Sequence, residues 1–157
     1  MGVHHFTLYM IPSGRRPLRN PDGTYESSFL SGFGLSGVIL ERLRSLCPKP
    51  NHWGPVEEFC SSAEWGSGLR IWHDDEGAIR DVVFRFAPGG DPVQLLHTFI
   101  TIVKEAGCDL LVQTSFEVIP PEFERVFQML RGHRAFRFLS DPEGVIKEAA
   151  SETNQNC

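Results

Sequence analysis

At 157 residues, with 41% hydrophobic and 22% charged side chains, the chain has the composition of one globular domain with enough apolar side chains for a buried core. The 15 basic and 20 acidic side chains leave a formal net charge of −5. No apolar run reaches the roughly 20 residues that span a bilayer, and MGVHHFTLYMIPSG lacks the basic flank and apolar length of a secretory signal. The expectation is therefore neither a membrane protein, a collagen, a coiled coil nor a disulfide scaffold, but a single α+β domain over 1–150 with a disordered tail over 151–157.

Segment 3–11, VHHFTLYMI, alternates: Phe6, Leu8 and Met10 point one way, His5, Thr7 and Tyr9 the other. That period of two predicts a half-buried strand. Residues 12–28, with the turn Asn20-Pro21-Asp22-Gly23, read as a surface loop. Ser36 caps a helix expected over 37–47, whose apolar stripe is Ile39, Leu40, Leu43 and Leu46 and which Pro48 closes. Residues 48–68, rich in Pro, Gly and Ser, read as a second loop in which Glu57, Glu58 and Phe59 form at most one helical turn.

Leu69–Asp74 and Ala78–Ala87 flank Asp75-Glu76-Gly77 and predict a hairpin. Asp91-Pro92 starts a helix with Leu95, Leu96, Phe99, Ile102, Val103 and Ala106 on one face, ended by Gly107 in the left-handed region. Asp109–Val118 is the next expected strand, followed by a helix over 121–131. A short strand over 134–139, a helix over 141–150 and the tail SETNQNC complete the reading.

Residues 3–118 thus read strand, helix, strand, strand, helix, strand. With right-handed crossovers and both helices on one face, this predicts a ferredoxin-like (β-α-β-β-α-β) antiparallel sheet sandwich with a C-terminal helical extension. The helices cover Phe6, Leu8, Val82, Phe84, Phe86, Leu110 and Val112. The opposite face then displays His5, Thr7, Tyr9, Trp72, Asp81, Val83, Arg85, Leu111, Gln113, Ser115 and Glu117. A competing placement lays the helix over 121–131 across that face, to bury Phe123, Phe127 and Leu130.

Charge is uneven along the chain. Residues 1–56 carry six basic and three acidic side chains; residues 57–157 carry nine and seventeen. An acidic body is a poor match for phosphate backbones and a good one for a basic protein. The four cysteines form no C-x-x-C pair, which excludes a zinc knuckle and a thioredoxin-type motif and suits free thiols in a reducing cytoplasm.

The remaining motifs carry no definite chemistry. His73-Asp74-Asp75-Glu76 puts four oxygen or nitrogen ligands in a row, but alternation turns successive side chains apart, and the spacing of a calcium loop is missing. Gly32-Phe33-Gly34-Leu35-Ser36-Gly37 spells G-x-G-x-x-G before a helix, without the βαβ context that makes it a dinucleotide site. No H-E-x-x-H or G-x-S-x-G occurs, and Arg15, Arg16 and Arg19 read as a basic loop. Glu57 and Glu58 are an unselected carboxylate pair.

The expected function is a non-enzymatic protein-binding domain with no catalytic residue, cofactor or metal, no nucleic acid and no membrane. Bacterial immunity proteins, which occlude a toxin's active site, are one class of this size and charge, by analogy of type and without a motif match. The expected contacts with a basic partner are Tyr9, Trp72, Asp74, Asp75, Asp81, Arg85 and Glu117. An uncovered sheet face serves a homodimer equally well. The alternative is a small-molecule-binding domain or enzyme, its pocket between the sheet and the loops at 12–35 and 48–68, where His52, Trp53 and Trp65 lie.

Overall fold

Alternation in β1 (Phe6–Pro12) buries Phe6, Leu8 and Met10 and leaves Thr7 and Tyr9 half-buried on the other side. Its neighbours continue both layers: Leu8 stands opposite Phe84 on one flank and Val112 on the other, and Tyr9 opposite Val83 and Leu111. The computed structural model describes residues 6–16, 20–22, 34–47, 49–60, 66–87 and 89–132. Seven strands form one antiparallel sheet there: β1, β2 (Lys49–Trp53), β3 (Val56–Cys60), β4 (Gly68–His73), β5 (Ile79–Phe86), β6 (Cys108–Val112) and β7 (Glu117–Ile119). Three helices are described: α1 (Gly37–Arg44), α2 (Pro92–Glu105) and α3 (Phe123–Arg131).

The spatial order is β2-β3-β4-β5-β1-β6-β7, which is not the four-strand ferredoxin-like order. The four strands read from the sequence are neighbours as β4-β5-β1-β6, but three further strands lengthen the sheet at both ends. Within 48–68, the described residues 49–60 are not a loop with a helical turn: β2 and β3 form a hairpin through Gly54, at φ 56°, and β3 pairs with β4 through Phe59 opposite Leu69. Nor is 109–118 one strand. The chain turns after Val112, with Phe116 at φ 53°, and returns as β7 with Ile119 opposite Leu110.

The helix ends follow from their caps. The Ser36 hydroxyl accepts from Ile39 N at 3.3 Å, and the Asp91 carboxylate accepts from Gln94 N at 3.3 Å ahead of Pro92. Gly107, at φ 70°, stops α2.

All three helices lie on the face bearing Leu8, Met10, Phe84 and Leu110, where Leu43, Phe99, Val126 and Leu130 join one core. Phe84 and Phe99 stack at 4.7 Å, and Arg42 of α1 pairs with Glu105 of α2. The alternative placement of α3 across the opposite face is therefore wrong. Its Val126 and Leu130 enter the main core, and Phe123 meets His97 of α2 at 5.2 Å. The expectations for His4, His5, Arg19, 27–30, Gly32, Phe33, Trp65, the strand at 134–139, the helix at 141–150 and the tail at 151–157 lie outside the described residues.

Candidate functional site

Among the described residues no helix packs on the second sheet face, and a cavity of about 340 Å³ opens there over β4, β5 and β1. Along β5, Asp81, Val83 and Arg85 project into it at alternate positions, roughly 13 Å from first to last at the rise of a strand. Tyr9 and Thr7 line it from β1, Trp72, Arg70 and Gly68 from β4, and Glu58 from β3. Cross-strand pairing sets these neighbours: Trp72 stands opposite Asp81, Arg70 opposite Val83, and Gly68 opposite Arg85.

Asp81 is 6% exposed, and its Oδ1 has no hydrogen-bond partner among the described residues. Its Oδ2 lies 3.9 Å from Arg80 Nε, a loose pairing. Burial pushes the Asp81 carboxyl above the ordinary aspartate range, against the pull of Arg80. Burial and then the charge of Asp81 push the Tyr9 hydroxyl upward, and Arg70 opposes them. Nε of Arg85 is likewise buried without a partner. An unpaired buried polar group costs about 1–3 kcal/mol, and two residues lining this cavity each carry one that the described residues do not satisfy.

At one edge an aromatic ridge borders the cavity. Trp53 and Trp72 meet edge to face at 5.5 Å, Trp53 Nε1–H donates to Glu58 at 2.9 Å, and Arg70 and Arg80 lie over the two rings. Trp53 is 43% exposed.

The structure brings Tyr9, Trp72, Asp81 and Arg85 together around this cavity and places the other expected contacts elsewhere. Asp74 sits in the exposed hairpin turn, where its carboxylate accepts from Glu76 N and Ala78 N at 2.9 Å each; Asp75 follows in the same turn. Glu117 is opposite Val112, which turns it to the helix-bearing side, 4.0 Å from Arg125. The break after Val112 shifts the alternation, which is why the open-face assignment of Glu117 fails.

Gly68 and Arg70 carry no signal of their own in the sequence, although Arg70 stands two residues before Trp72 on the same strand; Glu58, read there only as one of an unselected carboxylate pair, joins them in the lining. Glu57 and Glu58 point to opposite faces. Glu57 takes two hydrogen bonds of 3.0 Å from Arg44 and lies 2.5 Å from His73 Nε2. Burial opposes its ionisation, but these partners outweigh burial and hold its carboxyl below the usual range.

Among the described residues no cluster of His, Cys, Asp and Glu is arranged to hold a metal ion. The described free cysteines, Cys47 and Cys108, are buried, and burial pushes the Cys108 thiol up, away from the reactive thiolate. No described helix is long and apolar enough to cross a membrane. No family model, curated protein or solved structure matches this chain.

Proposed function

We propose that this chain is a protein-binding domain of the cytoplasm that docks a partner on the open sheet face. The observation that carries this reading is the buried Asp81 carboxylate oxygen, without a partner among the described residues, on a side chain that lines an open cavity beside Trp72. Aromatic and arginine side chains around a desolvated pocket are the groups that dominate binding energy at protein interfaces. An inhibitor of the immunity type is the form of this reading in which the face occludes the partner's own active site.

The cavity lining holds three arginines and two carboxylates, so the basic partner suggested by whole-chain charge is not what this pocket favours. A second reading, a small-molecule site, is favoured by the cavity volume alone, which lies within the range of ligand pockets. Its lining takes Glu58 and Gly68 from the 48–68 segment and no described residue of 12–35.

Quantitative capture from native lysate tests the proposal, with wild-type protein beside Trp72→Ala, Arg85→Ala and the helix-face control Lys104→Ala. The expected result is one near-stoichiometric protein, reduced at least about tenfold by the first two variants and unchanged by the third. Equal recovery by all four proteins would refute it.

A further inference from the structure

Two buried polar atoms on side chains that line the cavity lack partners among the described residues, and they carry opposite chemistry. Oδ1 of Asp81 accepts, and Nε–H of Arg85 donates. Arg85 also has no ion pair among the described residues, whereas Arg70 and Arg80 each have a carboxylate within 4.0 Å. Its guanidinium lies against Gly68, where a Cβ would come within 3.3 Å of Nη2. The missing side chain thus leaves room for the guanidinium beside the β4 backbone.

We infer that the cavity is a two-pole recognition site for an extended acidic segment of the partner protein, whose side-chain carboxylate pairs with Arg85 while a backbone or side-chain donor reaches Asp81. This rests on the docking reading above and specifies its chemistry. The spacing of about 13 Å between the strand positions of the poles matches about four residues of extended chain. A carboxylate offers the bidentate geometry that a guanidinium prefers, and its charge offsets the arginine excess of the lining. A lone cation fits less well, because Arg70 and Arg80 already flank the aspartate end.

A ¹H–¹⁵N spectrum resolving arginine Nε–Hε resonances, recorded on the full chain, tests the inference with N-acetylglutamate α-amide as probe. Arg85→Gln identifies the Arg85 resonance, and the wild-type protein then gives the readout. The expected result is a saturable shift of that resonance, with N-acetylglutamine α-amide needing at least about tenfold more probe for the same shift. An equal response to the two probes would overturn the inference, as would a shift driven by protein concentration alone, which assigns the face to a second copy of the chain. If the probes fail while Trp72→Ala still loses the captured partner, the chemistry is wrong and the docking reading stands. If the probes succeed while capture is insensitive to Trp72 and Arg85, the docking reading falls and a free acidic ligand takes its place.

Discussion

Arg85 lies against Gly68, its cross-strand neighbour, so that a Cβ at position 68 would stand 3.3 Å from Nη2 of the guanidinium. The obstructing atom is the far end of a flexible side chain, which can move; the nearest backbone atom, Phe59 O, is 3.5 Å away. Gly68→Ala is therefore expected to change stability by less than about 1 kcal/mol, since strand glycine carries its own entropic cost. It is expected to shift the Arg85 Nε–Hε resonance and weaken partner binding. Thermal unfolding beside the same spectrum checks both halves, and an unmoved resonance contradicts the packing described.

Asp81 is a group the fold bears at a cost. Its carboxyl titrates higher in the folded chain than in the unfolded one, so the folded state binds the proton more tightly. The resulting penalty is full at neutral pH and vanishes as pH falls through the raised folded value towards the ordinary aspartate value. Asp81→Asn is expected to stabilise the isolated protein by about 1–2 kcal/mol at neutral pH and to lose that advantage in acid, while partner binding falls. Melting curves across pH read the sign directly.

Glu57 behaves oppositely. Its carboxyl is held below the ordinary range despite burial, by hydrogen bonds from Arg44 and the neighbouring His73. The stability it contributes is present above the ordinary glutamate value and lost as pH falls through the lowered folded one. With Arg44 partly exposed, Glu57→Gln is expected to cost about 1–2 kcal/mol at neutral pH, with no difference from wild type in strong acid. A difference that persists in acid assigns the loss to packing instead.

Leu130 anchors α3 in the main core with no exposed surface. Leu130→Ala is expected to cost about 2–5 kcal/mol in denaturant unfolding. Below the transition, the near-ultraviolet signal of the Trp53–Trp72 pair stays as in wild type, because that pair sits on the other side of the sheet.

Much of this geometry is legible in the sequence because a strand has a period of two. Alternation in 6–10 and 81–86 separates the core layer from the layer carrying Tyr9, Asp81 and Arg85, and Ser36 and Asp91 mark helix starts through their own hydroxyl and carboxylate. The β2–β3 hairpin is not legible in the same way. Pro50 and Pro55 mark turns, and buried Val56 and Phe59 are three apart, a helical spacing. Pairing with each other and with β4 makes these segments strands. Glu117 fails for a related reason, since nothing in Gln113–Phe116 announces that Phe116 adopts a left-handed turn and resets the alternation. Gly68 carries no local signal either: its role exists only because Arg85 comes to lie across from it.

Oxidative footprinting of the free chain and of the captured complex most directly tests whether the open face is the working surface. Trp53 and Trp72 stand on that face, while His97 and Phe123 lie together on the helix-bearing side as internal controls. Strong protection of both tryptophans in the complex, with His97 and Phe123 modified as in the free chain, is the result predicted. Protection of His97 and Phe123 with unchanged tryptophans would contradict it and move the interface to the α2–α3 surface.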